Sequence, residues 1–450
     1  MRRPETARSI TSDTLESFLL KVLLYGVGFG GSILVSRGLG PTGRGIYYLP
    51  VVTAATVSAM ATLGIEQANV FLFGSHAVSI GRLWGQGGFI ALSLGTLGGL
   101  LLVDLPFLLP ATFASSPPPL WWIVAAGLPF VLHTQFAAGL LTLRGDVTWQ
   151  FRAALISGVL QTAALVGLFV SGSFFPAGVL AVSVASSLVT WVLTISKLAG
   201  ADRWIRWDAQ LLKLTLTRSL VLHAGMLLLF LHLRADMFML NRMAGPASLG
   251  VYSLSVTLAE TVLLATDSVA IAVLPRQMGN SIQEAAVTAL RAARVNLLLS
   301  ASLTVAWGII GFPLIVTAFG QPFRGSYLPL MLLLPGIASM GMQRVCGGPV
   351  LRRDQNSRII GINAVSLSLN IGLNLLWIPR WGAAGAALAS ACSYFLGALL
   401  FLYWTTRMAR CGFLEGVVPA RADLQLAARA LRLFASLRRE GRVPPKRSAP

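Results

Sequence analysis

The chain has 450 residues, of which 55% are hydrophobic and only 11% are charged, and its formal net charge is +19. A soluble domain carries roughly a quarter charged residues, so this composition excludes an ordinary soluble protein. Apolar runs of about 20 residues recur along the chain and predict membrane-spanning helices. Runs of this length also exclude the alternating pattern of an outer-membrane β-barrel. Three cysteines are too few and too scattered for a disulfide framework or a metal site.

In chain order the apolar runs predict twelve spans, separated by glycine, proline and short polar clusters. The first follows a basic lead, as in a signal peptide, but we interpret it as a retained span because no convincing cleavage site follows. The spans are 15–35, 46–70, 86–109, 119–142, 151–171, 177–197, 214–240, 249–273, 296–319, 327–350, 359–378 and 383–406.

One stretch of the chain occurs twice. Residues 36–49 read SRGLGPTGRGIYYL and residues 241–254 read NRMAGPASLGVYSL, so that six of fourteen positions match at a shift of 205. Self-similarity of this kind indicates that one ancestral unit was copied. We therefore predict a cytoplasmic N-terminus (1–14), an N-lobe of six helices (15–198), a cytoplasmic linker (199–213), a C-lobe of six helices (214–407) and a basic cytoplasmic tail (408–450).

The basic residues predict the orientation of the chain. With the N-terminus inside, 29 of the 35 Lys and Arg residues fall on the cytoplasmic side, which is the bias of inner-membrane proteins. Since each half has an even number of spans, the two copies are predicted to be parallel repeats. This distribution also argues against nucleic acid as the partner of the positive charge. In the tail, residues 421–439 have the spacing of a helix on an anionic membrane surface, and a solvated helix before a disordered end is the alternative.

Polar groups inside the predicted spans are the main candidate site residues, because such groups are costly in lipid and usually face a cavity or a partner. The seventh span has His232 and Asp236 on one face, with Arg234 roughly opposite. The eighth span adds Glu260 and Asp267, seven residues apart. One interpretation is a hydrated cavity in which cations hold an anionic headgroup and acids bind a coupling ion, H⁺ or Na⁺. The other is a structural Arg234–Asp236 pair. At the shift of 205, the positions in the first half that match Arg234, Asp236, Glu260 and Asp267 hold apolar or small residues: Phe29, Gly31, Ala55 and Thr62.

Other polar residues are candidates with equally plain structural explanations. Asn363, Asn370 and Asn374 share one face of the eleventh span and would line a sugar path or lock helices together. Arg37 and Arg242 lie in equivalent short external loops, where snorkelling to the interface accounts for them. Further candidates are Glu66, Gln67, His133 and Gln135. The sequence has no nucleotide-binding loop, no metal-ligand constellation and no nucleophile–base pair, so we predict neither an enzyme nor a bound cofactor.

The stretch SRGLGPTGRGIYYL followed by LGIEQANV resembles the first hairpin of Wzx-type O-antigen and exopolysaccharide flippases of the multidrug/oligosaccharidyl-lipid/polysaccharide (MOP) exporter superfamily. The stretch ADMFMLNRMAGPASLGVYSLSV is similar to that family's signature across the seventh and eighth spans. The resemblance covers about residues 12–408. It implies an all-α membrane protein with twelve transmembrane helices in two parallel-repeat six-helix bundles of the MOP/MATE type.

The resemblance also implies the function. It is alternating-access transfer of an undecaprenyl-diphosphate-linked oligosaccharide from the cytoplasmic to the periplasmic leaflet of the bacterial inner membrane. The implied partners are membrane lipids, a polysaccharide polymerase and chain-length machinery. A multidrug or small-molecule cation antiporter of the same superfamily is the first alternative. Its drug-exporting members commonly place an acid in the first span, where this chain has only Glu16 at the start. A polysaccharide polymerase or ligase, and a non-transporting scaffold, are the others; such enzymes need a substantial periplasmic loop, which the predicted spans do not leave.

Overall fold

The computed structural model describes residues 10–74, 78–198, 207–279, 281–352 and 356–418, and over these ranges the chain is helical with no strand. The helices are α1 (Ile10–Ala61), α2 (Ile65–Gly74), α3 (Ile80–Leu108), α4 (Pro110–Phe113), α5 (Pro118–Leu143), α6 (Val147–Val170), α7 (Pro176–Leu198), α8 (Ala209–Ala259), α9 (Thr261–Gly279), α10 (Ile282–Leu314), α11 (Tyr327–Arg352), α12 (Asn356–Ala409) and α13 (Phe413–Val417). A π-helical turn, Ile315–Phe319, and a 3₁₀ turn, Gln321–Ser326, join α10 to α11.

Nine helical segments in the described residues are long and apolar enough to cross a membrane. Three of them are 43, 49 and 53 residues long, and each contains one glycine with a non-helical backbone: Gly40 (φ 64°), Gly245 (φ 80°) and Gly382 (φ 54°). Glycine adopts positive φ without the steric cost of a Cβ. A proline follows directly at the first two bends, where its missing N–H costs nothing because a new helix begins there. The repeated motif was predicted to be a loop, but it is an abrupt bend between helices.

Two of the predicted spans are not continuous helices in the structure. The second span, predicted over 46–70, is interrupted between Ala61 and Ile65, where Leu63 (φ 47°) and Gly64 (φ 70°) both have left-handed backbones. The eighth span, predicted over 249–273, is interrupted at Glu260. An unbroken apolar run predicts an unbroken helix, because hydropathy carries no information about a single residue that leaves the helical region. Such breaks at membrane depth occur where the backbone is covered by protein or lines a cavity.

The chain divides into two compact units, which do not coincide with the two predicted lobes. The first unit comprises the residues up to Val256 together with Ile310–Leu330 and Leu367–Ser390, and the second comprises Thr257–Ile309, Met331–Ser366 and the chain from Ala391. The lobes describe the sequence repeat and stay a prediction. The predicted linker is described only from residue 207, and the predicted tail only to residue 418, so the possible interfacial helix at 421–439 lies outside the described residues.

Small residues set the packing of the first unit. In that unit α3 packs on α5, α1 on α6, and α7 on both α5 and α6. A Cβ added at Gly95 would lie 2.4 Å from the Pro129 Cα, and one added at Gly99 would lie 3.0 Å from the Ala125 carbonyl oxygen, so α3 and α5 are in backbone contact. Close approach through glycine is the usual means of helix association where lipid removes the hydrophobic driving force.

In the second unit a buried cluster built on Leu290, Met342, Cys346 and Leu402 joins α10, α11 and α12. A Cβ added at Gly336 would lie 2.5 Å from the Ala391 Cα, so α11 and α12 also approach through small residues there.

Candidate functional site

A cavity of about 590 Å³ lies within the first unit, between α1, α2, α5, α7 and α8. Most of its wall is aliphatic or aromatic, from residues such as Val124, Leu227 and Phe230. Its polar lining residues are Ser58, Thr62, Glu66, Gln135, Ser183, Ser187 and His223. Among the described residues of this lining there is one carboxyl and one imidazole, and neither lysine nor arginine. The volume is that of a typical small-molecule pocket.

The interruption after α1 brings the two titratable groups to this wall. Gly64 packs against α8: a Cβ added to this glycine would lie 2.9 Å from the Ser219 carbonyl oxygen and 3.1 Å from the His223 Cβ. His223 is in hydrogen-bond contact with the Met60 carbonyl at the end of α1. Glu66 follows in the first turn of α2. The left-handed turn therefore places Glu66 and His223, from two different helices, on one cavity.

The four further polar candidates have different positions. Glu66 and Gln135 line the cavity, and Ser58 Oγ donates a hydrogen bond of 3.1 Å to Gln135 Oε1. His133 instead packs between two tryptophans: its Nδ1 accepts a 3.1 Å hydrogen bond from Trp191 Nε1, and its ring stacks on Trp84 at 4.3 Å. The side chain of Gln67 lies outside the described residues. The ten main candidates are absent from the described lining of this cavity. Most of them lie in the second copy, whereas the cavity is lined mainly by the first copy, with His223, Met226, Leu227 and Phe230 of α8 from the second.

Three of the main candidates meet in a buried polar cluster of the first unit. Asp236, which is 1% exposed, accepts hydrogen bonds at its Oδ2 from the Tyr252 hydroxyl (2.5 Å) and the Ser390 hydroxyl (2.6 Å). Asn370 Nδ2 donates to Ser390 Oγ at 3.1 Å, and Asn374 Nδ2 donates to Asn370 Oδ1 at 2.9 Å. We call these five residues the Asp236 cluster.

Two oxygen atoms of this cluster, Asp236 Oδ1 and Asn374 Oδ1, are buried and have no hydrogen-bond partner among the described residues. An unsatisfied buried acceptor costs about 1–3 kcal/mol. Both oxygens would accept a proton donor or a hard cation. On the same helix Arg234 is half-buried and near enough to interact electrostatically with the Asp236 carboxyl, and His232 is buried.

The first copy of the repeat contains a simpler version of this arrangement. Tyr47, which matches Tyr252, has its hydroxyl 3.3 Å from Ser183 Oγ, and Ser183 matches Ser390 at a shift of 207. The position that matches Asp236 is Gly31. Both copies therefore keep a tyrosine beside a serine, and only the second places a carboxylate between them.

The two copies of the motif also contact each other directly. A Cβ added at Gly45 would lie 1.8 Å from the Pro246 carbonyl oxygen, and one added at Gly250 would lie 1.9 Å from the Pro41 carbonyl oxygen. These contacts are reciprocal: each motif glycine touches the proline of the other copy. We call this the motif crossing. Only glycine permits such an approach of backbone to backbone.

Arg44 is a buried cation beside the motif crossing, and our sequence analysis missed it. Its side chain is 4% exposed and donates hydrogen bonds to Ser253 Oγ (3.0 Å), Ser36 Oγ (2.7 Å) and Ser32 Oγ (3.1 Å). These partners are neutral. Arg44 falls between the predicted spans 15–35 and 46–70, that is, in a predicted external loop, and only its position next to the repeated Gly45 could have singled it out.

The remaining candidates are dispersed. Arg37 hydrogen-bonds to backbone carbonyls at the end of the π-helical turn, and Arg242 is exposed. In the second unit Asp267 forms an ion pair with Arg344 (2.9 Å), and both side chains are more than a third exposed.

Two further candidates also belong to the second unit. Asn363 is buried on α12. Glu260 lies at the break between α8 and α9. Glu260 therefore directly precedes α9, the helix that carries Asp267, and its carbonyl accepts a 3.0 Å hydrogen bond from the Leu263 N–H.

No protein-family model matches the chain, and no curated protein matches it. Solved structures do match, at low sequence identity. The inward closed conformation of the lipid II flippase MurJ is 12% identical, with a TM-score of 0.71 over 97% of this chain and 94% of that one. An inward-facing multidrug resistance MATE family transporter of the MOP superfamily is 14% identical, with a TM-score of 0.68 over 86% of this chain and 94% of that one.

A third match, a MOP superfamily transporter from Pyrococcus furiosus described as having a binding pocket of reversed polarity, is 14% identical with a TM-score of 0.65 over 88% of this chain and 94% of that one. The three matches are transporters or flippases, and each is covered almost completely. The chain is thus a multi-pass membrane protein with the fold of MOP-superfamily transporters.

Proposed function

We propose that this protein flips a lipid-linked oligosaccharide, carried on undecaprenyl diphosphate, from the cytoplasmic to the periplasmic leaflet of the inner membrane for cell-surface polysaccharide biosynthesis. The observation that carries the proposal is the match to a lipid II flippase over 97% of the chain, in a sequence whose repeated motif independently resembles oligosaccharide flippases. A polysaccharide polymerase and chain-length machinery would be its partners in the membrane.

The same proposal includes the topology. If each of the three bent helices counts as two spans, the nine membrane-crossing segments of the described residues become twelve. With the predicted charge bias, both termini then lie in the cytoplasm. The membrane potential supports outward movement of the diphosphate, since about 2.3 kcal/mol per charge per 100 mV favours an anion leaving the negative side.

We assign the coupling ion to the Asp236 cluster. The Asp236 carboxylate has a buried oxygen without a hydrogen-bond partner, and the same hydrogen-bonded cluster contains a second one, the amide oxygen of Asn374; oxygen atoms of this kind suit Na⁺ or a proton. Filling the site would remove the cost of leaving both acceptors unsatisfied. Because the tyrosine, serine and asparagine partners come from three separate stretches of the chain, occupancy of the site would change how those stretches pack together.

The flipping proposal is tested with the purified full-length chain in liposomes containing a fluorescent undecaprenyl-diphosphate disaccharide. We expect the label in the inner leaflet to become accessible to an external quencher faster than in protein-free vesicles. Equal rates would refute flipping. In cells, loss of the protein should accumulate lipid-linked repeat units on the cytoplasmic leaflet.

A cation antiporter is the second candidate, and one observation favours it. The described lining of the 590 Å³ cavity has neither lysine nor arginine and includes Glu66. An apolar wall with a single carboxyl suits a lipophilic cation better than a diphosphate. The same liposomes, loaded with the fluorescent cation ethidium, discriminate: pH- or Na⁺-driven ethidium movement without lipid flipping would select the antiporter.

A further inference from the structure

Two side chains in the first unit, Arg37 and Asn241, form hydrogen bonds from one copy of the repeat to the other. Arg37 Nε donates to the Ala318 carbonyl at 2.7 Å, and its Nη2 donates to the Thr317 carbonyl. In the other direction, Asn241 Nδ2 donates to the Thr112 carbonyl at 2.7 Å. Thr112 and Thr317 are 205 residues apart, which is the shift that relates the two motif copies. The two acceptor positions are therefore equivalent in the repeat, while the donors Arg37 and Asn241 occupy adjacent positions of the motif, one in each copy.

The acceptors are carbonyls at helix ends. Thr317 and Ala318 belong to the π-helical turn, which stops at Gly320 (φ 100°), and Thr112 belongs to the short helix α4. The last carbonyls of a helix lack intrahelical donors and carry partial negative charge, so a side-chain donor there satisfies them and a cation is further favoured by the helix dipole. Arg37 thus joins the start of the first motif to the end of the π-helical turn, and Asn241 joins the start of the second motif to the end of α4.

The same two motif copies meet at the motif crossing, where Gly45 and Gly250 touch the prolines of the opposite copies. A crossing so close in the backbone leaves no room for a path through this end of the helices. The structure is therefore closed there, with one hydrogen-bonded contact from each motif copy holding it.

We propose that Arg37 and Asn241 are positioning residues of the transport cycle: they hold this end closed, and both must release their carbonyls before it opens. The inference rests on the alternating access in the proposed function, but not on which substrate is carried. It gives Arg37 a role in place of interfacial snorkelling. Arg242, which matches Arg37 at the shift of 205, is also exposed and is not assigned this role.

The two contacts differ in chemistry. Arg37 presents a charge to two carbonyls and is exposed, so its contribution is screened by salt. Asn241 is buried and uncharged, and its amide also reaches Ser115 Oγ at 3.0 Å. Salt should therefore loosen the Arg37 contact and leave the Asn241 contact unchanged.

The experiment measures the separation of the two motif copies in the full-length chain in nanodiscs, without ligand. Spin labels are placed at Thr42→Cys and Ala247→Cys, which are exposed and repeat-equivalent, after the native cysteines are replaced. We expect Arg37→Gln to raise the population of longer distances about three- to tenfold, as for loss of one hydrogen bond. Asn241→Ala should do the same, and Arg242→Gln is the matched control.

Several outcomes decide the matter. If Arg37→Gln and Arg242→Gln give the same distance distribution as the parent, the proposal is wrong. Partial rescue by Arg37→Lys, and a shift of the parent towards longer distances at 1 M salt that Arg37→Gln lacks, would support it. If the wild-type protein fails to flip lipid but Arg37→Gln still lengthens the distance, the flippase proposal is wrong and the proposed role of Arg37 in closing this end is supported.

Discussion

Substitution of Gly45 by alanine should prevent the two motif copies from meeting. The new Cβ would lie 1.8 Å from the Pro246 carbonyl oxygen, whereas real Cβ contacts essentially never fall below 3.0 Å. The backbones must therefore separate by at least about 1.2 Å at a point where both are helical and neither can yield by changing a rotamer. Gly250→Ala should act alike, since its Cβ would lie 1.9 Å from the Pro41 carbonyl.

The size of the effect follows from the kind of clash. Inserting a methyl group into a well-packed contact costs about 1–3 kcal/mol, and a difference of that size changes a two-state equilibrium about 5- to 150-fold. If this end alternates between closed and open forms, the whole cost falls on the closed form. Because both glycines belong to one contact, the double substitution should cost less than the sum of the single ones.

The assay is the distance distribution between spin labels at Thr42→Cys and Ala247→Cys, recorded with and without Gly45→Ala. The matched control is Gly30→Ala in the same helix, where an added Cβ meets nothing within 4 Å. We expect longer distances and slower lipid flipping for Gly45→Ala only. Equal distributions for the two variants, with equal flipping rates, would show that the crossing does not limit the cycle.

Three further predictions concern individual carboxyl groups. Asp236→Asn should abolish stimulation of transport by Na⁺ or by a pH gradient while the protein still reaches the membrane; unchanged stimulation would remove the Asp236 cluster from the coupling mechanism. Glu66→Gln should weaken binding of ethidium at least about tenfold if the cavity takes cations, and leave lipid flipping intact; equal ethidium titrations would exclude this cavity as the cation site. The hydrogen bond from the Leu211 N–H, and then the one from Arg82, hold the pKa of the Asp208 carboxyl below its ordinary value. The ionised carboxyl therefore stabilises the folded state above about pH 4, and this stabilisation is lost as the pH falls through the lowered pKa. The melting temperatures of wild type and Asp208→Asn should accordingly converge on acidification, and a constant difference would contradict that origin.

Much of the fold could be predicted from the sequence because lipid allows so few structures. Apolar runs must be helices in a membrane. The repeated motif in the sequence also contains Gly40 and Gly245, the two glycines at which the helices bend. The interruptions at Leu63 and Glu260 could not be predicted, since they depend on how single residues are seated against neighbouring helices. Leu63 holds a left-handed backbone that no local propensity favours.

The candidate site was predictable only in part, for a related reason. Asp236 was identified by the cost of placing a charge in a span, which is visible in the sequence. Its partners Tyr252 and Ser390 are hydroxyls of ordinary polarity, and only the tertiary structure brings them to the carboxylate. Arg44 was overlooked because hydropathy assigned it to a loop. The cavity was missed because its wall is apolar and therefore resembles any other helix face.

The tyrosine–serine pairs of the two copies have a consequence for the proposed coupling. Tyr47 with Ser183, and Tyr252 with Ser390, occupy matching positions of the repeat, and the exchange between Gly31 and Asp236 separates an uncharged polar contact from one that includes a carboxyl group. If the Asp236 cluster holds the coupling ion, as proposed, the difference between a half with an ion site and a half without one comes down to this single position.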